Sequence, residues 1–133
     1  RPMIVVDSSV IIAIFEEEED AATFADAIAS GEGLVMSAVN VHETATVLHA
    51  RRGAENVADF WRFLKVSNIE IASFDEDQAR TASEAYACYG KGFHSRARLN
   101  LADCAAYALA KSLSASLLFK GDDFTHTDVE QWR

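Results

Sequence analysis

Short apolar segments alternate with longer helical patterns along this chain, and this alternation constrains its fold more than any other feature. Apolar runs at residues 3–6, 34–36, 69–73 and 117–119 have the length and composition of buried strands. Helical patterns occupy residues 10–15, 21–29, 37–51, 55–66, 76–89 and 101–113. Because parallel strands need crossover connections that are usually helices, we expect a three-layer α/β/α domain with a central parallel sheet. Four or five strands are expected, the last being a short strand or extended tail that begins near Val129.

The length and charge of the chain exclude several classes of protein. Its 133 residues, 50% of them hydrophobic, suit one domain, which we expect to span residues 3–133, with residues 1–2 (Arg1 and Pro2) a remnant of expression. A net charge of −9 disfavours a basic nucleic-acid coat or docking on anionic membrane. No apolar run approaches the roughly 18 residues that a spanning helix needs. Cys88 and Cys104 are too few for a disulfide framework, which favours reduced thiols and a cytoplasmic location.

Acidic residues occur at several places where ligands gather in parallel sheets, outside the carboxyl ends of the strands. Asp7 directly follows the first apolar run, and the pair Asp122 and Asp123 follows the last one. Asp103 falls in the first turn of the helix that begins after Asn100. Glu43 lies about two turns into the helix that leaves the second strand. These acids are candidates for one shared site at the sheet edge.

Each acid also has an ordinary explanation, and single residues leave the choice open. Asp7, Ser8 or Ser9 could cap the first helix, and Asp103 could be a first-turn acid with Asn100 as cap. Glu43 could be a surface acid, and the Asp122–Asp123 pair could belong to a turn. However, the sequences around Asp7 and Asp103 look buried, and acids emerging from buried elements at one edge should converge. Their repulsion then requires shared protons or a divalent cation.

The ion expected at such a cluster is Mg²⁺ or Mn²⁺, because the candidate ligands are all carboxylate oxygens. His42 precedes Glu43, but the helical zinc-protease pattern needs a second histidine where Thr46 stands. Cys104 follows Asp103, yet neighbouring residues on a helix point about 100° apart. A zinc site is therefore disfavoured.

Four sequence blocks, taken together, resemble the PIN-domain ribonucleases, and more narrowly the VapC-type toxins of toxin–antitoxin pairs. The blocks are DSS at 7–9, Glu43 six residues after Ser37, LNLADC at 99–104 and LFKGDDF at 118–124. No single block is specific, but all four occur in the family's order between Met3 and about Val129. Where many family members have an aspartate two residues before the final one of the last block, this chain has Gly121.

The resemblance implies a PIN-like fold and a metal-dependent endoribonuclease, the toxin of a type II toxin–antitoxin pair, in which a water activated by Mg²⁺ or Mn²⁺ hydrolyses RNA phosphodiester bonds. It also implies a cognate VapB-type antitoxin and a homodimer. The implied catalytic and metal-binding residues are Asp7, Glu43, Asp103 and Asp123, with Asp122 as a possible substitute for the fourth and Ser8, Ser9 and Asn100 in support. The apolar helix at 10–15 is a candidate partner-facing surface, although a core helix explains it equally well.

A basic stretch precedes Asp103 and offers a way for an acidic protein to hold RNA. No acid occurs between Ala85 and Ala102, whereas Lys91, Arg96 and Arg98 fall inside this stretch together with Phe93. Cations contribute affinity through phosphates, and an exposed aromatic ring can stack on an unpaired base. We therefore expect the three cations to bind RNA, the alternative being a flexible loop whose charges only solubilise it.

Two other functions compete with the nuclease interpretation. A phospho-signalling receiver domain also holds Mg²⁺ with acids at strand ends, and Asp75 and Lys120 fit it superficially, but only one acid follows the first strand. A catalytically inactive PIN-like binding module is the second alternative, kept open by Gly121. The acidic run at 16–20 is expected to be a solvated turn.

Overall fold

A computed structural model describes residues 2–94 and 96–132. Arg1, half of the expected expression remnant, and Arg133, the last residue of the expected domain, lie outside the described residues, as does Ser95. No helix in the described ranges is long and apolar enough to cross a membrane.

The centre of the fold is a parallel sheet of four strands in the order β3-β2-β1-β4. The strands are β1 (Ile4–Val6), β2 (Leu34–Ser37), β3 (Glu70–Ala72) and β4 (Ser116–Leu118). Val5 pairs with Val35 of β2 on one side and with Leu117 of β4 on the other. Strand β1 is therefore central, and its carboxyl end lies between those of β2 and β4.

The possible fifth strand near Val129 is an extended tail. Leu117 N donates to Glu130 O (2.8 Å) and Trp132 N donates to Leu117 O (2.9 Å), so the tail runs beside β4 with one isolated bridge, between Leu117 and Gln131. The sequence left open a short strand or an extended tail, and the structure has the extended tail.

Six helices cover the two faces of the sheet, and their order along the chain agrees with the sequence pattern. They are α1 (Ser8–Phe15), α2 (Ala21–Ser30), α3 (Ala38–Arg52), α4 (Ala54–Val66), α5 (Glu76–Tyr89) and α6 (Leu101–Leu113). Alternate residues of a strand point to opposite faces, so Val5 and Val35 pack with α5 and α6, whereas Val6 and Met36 pack with α1 to α4. The predicted three-layer α/β/α architecture is confirmed.

Helix α1 belongs to the core. Val10 and Ile11 are fully buried, and the ring of Phe15 packs edge-to-face against those of Phe60 and Phe63, at centroid distances of 6.2 Å and 5.6 Å. This packing explains why α1 is apolar on nearly every side, and it favours the core interpretation over a partner-facing surface.

Candidate metal centre

Asp7 stands where β1 ends and α1 begins. Its backbone N donates to Leu118 O (3.0 Å), which holds it against the end of β4. Its side chain caps α1, because Oδ2 accepts from Ser9 N (3.1 Å) and from Ser9 Oγ (2.6 Å). Of the capping residues considered from the sequence, Asp7 is therefore the one that caps this helix, and Ser9 fixes the orientation of its carboxylate.

The second carboxylate oxygen of Asp7 is unusual. Asp7 is 4% exposed, and its Oδ1 is buried without a hydrogen-bond partner among the described residues. The pKa of Asp7 is raised to about 6, mainly by burial and in smaller part by the charge of Glu43, against the hydrogen bonds from Ser9 that lower it. A buried, unpaired carboxylate oxygen of this kind favours either a proton or a cation.

Asp103 is the third residue of α6, where it forms a reciprocal capping box with Asn100. Asp103 N donates to Asn100 Oδ1 (2.9 Å) and Asn100 N donates to Asp103 Oδ2 (3.0 Å). The cap orients the Asp103 carboxylate at the start of the helix. Here the structure has both the first-turn acid and the Asn100 cap that the sequence indicated.

The pKa of Asp103 shows that four separate segments of the chain bring their acids together. Burial and then the charge of Asp7 raise this pKa to about 7, against the Asn100 hydrogen bond that lowers it. The charges of Asp123 and Glu43 raise it as well. Asp7, Glu43 and Asp123 therefore each lie within electrostatic reach of Asp103, and Glu43 also lies within reach of Asp7.

The two candidates for the fourth acid differ in their relation to Asp103. Asp122 and Asp123 are both exposed in the turn that follows β4. Asp123 is one of the main charges acting on Asp103, whereas Asp122 is not. This difference favours Asp123, although its role stays a prediction.

The donor chemistry of this acid cluster (Asp7, Glu43, Asp103 and Asp123) suits a hard divalent cation. All its donor atoms are carboxylate oxygens, one of which is the unpartnered Oδ1 of Asp7. Burial and the charge of Asp103 raise the pKa of the neighbouring Cys104 thiol to about 11, so no thiolate competes there. Within residues 2–94 and 96–132, no three acid, histidine or cysteine side chains already stand close enough to hold one ion. The residues present thus fit such a cation by the chemistry of their donor atoms.

The loop that carries Asp123 is tied to the rest of the site. Lys120 N donates to Ser9 Oγ (3.0 Å), so one serine hydroxyl joins this loop to Asp7. Lys120 Nζ also forms ion pairs with Glu18 and with Asp20 (3.1 Å for the second) in the turn between α1 and α2. Sequence reasoning missed this structural role of Lys120, because nothing in the local pattern marks an ion pair across so long a separation.

The acidic run at 16–20 is therefore more than the solvated turn that we expected. Glu18 and Asp20 hold Lys120, and Glu16 accepts from Arg51 (3.4 Å) and Arg52 (2.7 Å) at the end of α3. These cations offset the repulsion among the five adjacent carboxylates of the run.

Gly121 stands where many members of the PIN-domain family have an aspartate, and its backbone conformation favours glycine. Its φ is +93°, in the region that L side chains rarely adopt, and an added Cβ would meet no neighbouring atom. The backbone of this turn, rather than lack of space, disfavours an aspartate there. Phe119, two residues before Gly121, is buried and packs on Phe124 at a centroid distance of 5.0 Å.

Ser8 has a partner that the sequence did not identify. Its hydroxyl donates to Asn40 O (3.2 Å) and accepts from Asn40 Nδ2 (3.1 Å), in a fully buried contact between α1 and α3. Asn40 is thus a polar core residue beside the acid cluster, and the only signal for it in the sequence is one amide between the apolar residues Val39 and Val41.

The basic stretch before α6 is an ordered segment. Ala97 and Leu99 are fully buried, Lys91 N donates to Leu99 O (3.0 Å), and His94 Nδ1 accepts from the backbone N of Arg96 (3.0 Å) and Ala97 (2.9 Å). These contacts contradict the flexible-loop alternative for the described part of the stretch.

The cations of this stretch differ from most others in the protein. Among the described residues, six cations form ion pairs: Arg51, Arg52, Arg62, Arg80, Lys111 and Lys120. In the part of the chain that the structure describes, Lys91, Arg96 and Arg98 form none, and all three are exposed. Phe93, between them, is 68% exposed and contacts Tyr86 at a centroid distance of 5.5 Å. The unpaired charges and the open ring remain available to an anionic, aromatic ligand.

Comparison with known proteins decides the family. The family model of the PIN domain matches residues 4–130. The chain belongs to the PIN-domain family. This PIN domain is 40% identical to ribonuclease VapC30 of Mycobacterium tuberculosis over 125 residues, which cover 94% of this chain and 95% of that protein. The resemblance read from the four blocks is confirmed at the level of family and fold.

Solved structures support the same fold. The sarcin-ricin loop cleaving toxin VapC20 of Mycobacterium tuberculosis matches this PIN domain with a TM-score of 0.80 at 18% identity, covering 98% of both chains. A chain of a toxin–antitoxin complex from Klebsiella pneumoniae matches with a TM-score of 0.69 at 16% identity, covering 94% of this chain and 92% of that one.

The receiver-domain alternative is wrong. The family match excludes it, and the sheet order does as well: a receiver places β1 between β2 and β3, whereas here β1 lies between β2 and β4. Two helices, α1 and α2, connect β1 to β2, where a receiver has one.

Proposed function

We propose that this PIN domain is a divalent-metal-dependent endoribonuclease, the toxin of a toxin–antitoxin pair. The observation that supports the proposal is the burial of Asp7 and Asp103, whose raised pKa values also carry contributions from the charges of Glu43 and, for Asp103, of Asp123. The similarity to ribonuclease VapC30 over most of both chains supports the reaction type.

The proposed ligands of a Mg²⁺ or Mn²⁺ ion are the carboxylates of the four acids. Hydrogen bonds orient two of them, Asp7 and Asp103. Ser9 occupies Oδ2 of Asp7 and leaves Oδ1 for the ion, and Asn100 N orients the carboxylate of Asp103. Glu43 and Asp123 would complete the set from α3 and from the turn after β4. When bound, a divalent cation supplies a water of lowered pKa as nucleophile and neutralises charge on the phosphate. No nucleophilic side chain is then needed.

We propose that RNA lies across the basic stretch as it enters this site. Lys91, Arg96 and Arg98 would contact phosphates, and the exposed ring of Phe93 would stack on an unpaired base. The stretch leads directly into α6, whose first turn carries Asp103, so a strand held there would bring a phosphodiester to the acids. An unpaired strand is favoured because stacking requires an open base.

The proposed partners are a VapB-type antitoxin, a second copy of the chain and the RNA substrate. The antitoxin is supported by the fold shared with a toxin–antitoxin complex. The homodimer rests on the resemblance to VapC-type toxins. A cytoplasmic location fits the free thiols of Cys88 and Cys104, since reducing compartments keep thiols free.

Cleavage of a defined, partly single-stranded RNA tests the proposal. Wild-type protein should cut it with Mg²⁺ or Mn²⁺, and EDTA should abolish the reaction. Asp103→Asn should also abolish it, since the cap hydrogen bond survives while the ligand charge is lost. Glu76→Gln, an exposed acid of α5 paired with Arg80, is the matched control and should keep wild-type activity.

Two results would contradict the proposal. Equal cleavage by wild type and Asp103→Asn would place the reaction elsewhere or in a contaminant. Absence of cleavage by wild-type protein on a panel of structured and unstructured RNAs, with either metal, would favour the inactive binding module instead.

A further inference from the structure

The side-chain amide of Asn40 is a fully buried polar group on the helix that carries Glu43. Asn40 is fully buried on α3, three residues before Glu43. One N–H of its Nδ2 donates to Ser8 Oγ (3.1 Å) and the other donates to Ala102 O (3.1 Å). Ser8 immediately follows Asp7, and Ala102 immediately precedes Asp103. One amide therefore connects the residues next to two of the acids with the helix that carries a third.

The backbone of Asn40 strengthens this connection. Its carbonyl oxygen accepts from Ser8 Oγ (3.2 Å) and from Thr44 Oγ1 (2.7 Å). Ser8 and Asn40 thus exchange two hydrogen bonds, which holds the first turn of α1 against α3. The second donor of the amide holds the first turn of α6 to the same helix.

The arrangement has an energetic cost that packing alone does not explain. Oδ1 of Asn40 is buried and has no hydrogen-bond partner in the described ranges. A buried polar atom without a partner lowers stability, because it has lost its hydrogen bonds to water and gained none in the protein. A leucine would fill this place without an unpaired oxygen, but it would leave Ser8 Oγ and Ala102 O without their donor. What leucine cannot supply is the pair of N–H donors.

We propose that Asn40 is a positioning residue for the acid cluster: its amide ties Ser8 of α1 and Ala102 of α6 to α3, and so holds Asp7, Glu43 and Asp103 together for one cation. The acids repel one another before an ion binds, and fixed backbone links oppose their separation. Partners outside the ligand set commonly change metal affinity about 10–100-fold when they are mutated. The inference rests on the proposed metal site and assigns no contact with substrate to Asn40.

Calorimetric titration with Mg²⁺ tests this role on the full chain. Asn40→Leu should weaken Mg²⁺ binding by about 10–100-fold. Gln78→Met is the matched control: Gln78 is also a buried amide, its Nε2 donates to Ser73 O (3.0 Å), and its Oε1 likewise has no partner within the described residues. It lies on α5, which carries none of the four acids. This variant should bind Mg²⁺ within about twofold of wild type.

A milder variant covers the case in which Asn40→Leu does not fold. Ser8→Ala removes one acceptor of the amide and leaves the contact with Ala102 O. It should weaken Mg²⁺ binding by less than Asn40→Leu does, and the double variant should bind no more weakly than Asn40→Leu, because the two changes break the same link.

Hydrogen exchange of the metal-free protein gives a second readout that does not depend on activity. The backbone amides of Ser9 and Asp103 donate to the capping side chains of Asp7 and Asn100, so they report on both first turns. Both amides should exchange faster in Asn40→Leu than in wild type, and neither should change in Gln78→Met.

The outcomes separate this inference from the proposed function. Wild-type affinity for Mg²⁺ in Asn40→Leu, or the same loss in Gln78→Met, would overturn the positioning role while leaving the metal site intact. Absence of Mg²⁺ binding by the wild type would overturn the metal site itself, and the inference with it.

Discussion

The charge of Asp7 raises the pKa of Asp103, although one residue follows the first strand and the other begins the last helix. The two carboxylates come within electrostatic reach because Asn40 of α3 links Ser8, next to Asp7, to Ala102, next to Asp103. Each carboxylate is held by a local cap, from Ser9 in one case and Asn100 in the other. Like charges that converge in a partly buried place lower the free energy of unfolding unless a proton or a cation neutralises them.

The pH dependence of stability should report the Asp103 carboxyl. Its pKa is about 7 in the folded protein against a usual value of 3.8, so the folded state binds the proton more tightly than the unfolded state. Without metal, this group therefore contributes stability below about pH 4 that is lost as the pH rises through 7. Asp103→Asn removes this pH dependence, so the free energy of unfolding of the variant should rise by about 1–3 kcal/mol relative to that of wild type as the pH goes from 4 to 8.

Urea unfolding in EDTA at several pH values measures this difference. Glu76→Gln is the control, because its carboxylate is exposed and should give a profile parallel to wild type. A parallel profile for Asp103→Asn as well would mean that the pKa of Asp103 is not raised in the folded protein.

The fourth acid can be identified by comparing two adjacent residues. Asp123 acts on the pKa of Asp103 and Asp122 does not do so appreciably. Asp123→Asn should therefore slow RNA cleavage by about 10–100-fold, the range typical for disturbed metal sites, whereas Asp122→Asn should stay close to wild type. Single-turnover cleavage rates of the two variants at saturating Mg²⁺ show which residue is the fourth acid. Equal rates for the two variants, or a larger loss in Asp122→Asn, would reverse the assignment.

The basic stretch should contribute to RNA binding through phosphate contacts. Alanine at Lys91, Arg96 or Arg98 should weaken binding to single-stranded RNA of any sequence and reduce the salt dependence of log Kd by roughly 0.7 per cation. Fluorescence anisotropy over a range of salt concentrations, with metal replaced by EDTA, measures both effects. Lys65→Ala is the control, since Lys65 is exposed on α4 and forms no ion pair in the described part of the chain. An unchanged salt slope in all three loop variants would exclude an RNA-binding role.

The ion pairs of Lys120 should matter more for activity than for stability. Partly exposed ion pairs contribute at most about 1 kcal/mol, so Lys120→Met should unfold at nearly the wild-type urea concentration. The same change frees the loop between β4 and Asp123 from the turn between α1 and α2, and cleavage should fall several-fold. Arg80→Met, which breaks an exposed pair within α5, is the control and should cleave normally. Wild-type cleavage by Lys120→Met would show that the loop needs no such tether.

The sequence was most informative where a local rule decides the structure. The pattern predicts helices at 76–89 and 101–113, and both begin and end there, because Asp75 and Asn100 supply caps and Gly90 ends the first helix. The burial of Asp7 follows from its position after an apolar strand. Contacts between distant segments could not be predicted in this way: no local pattern links Lys120 to Glu18, or Asn40 to Ala102. The choice between Asp122 and Asp123 also depends on how the turn after Gly121 faces α6.

Anomalous diffraction from crystals grown with Mn²⁺ tests the central claim most directly. The account predicts a Mn²⁺ peak in contact with Asp7 Oδ1 and the Asp103 carboxylate, with Glu43 or Asp123 completing the protein ligands. The same crystals grown with EDTA should show no peak at that position. A Mn²⁺ peak at other residues, or none while the four carboxylates stay apart, would contradict the claim that these acids share one cation.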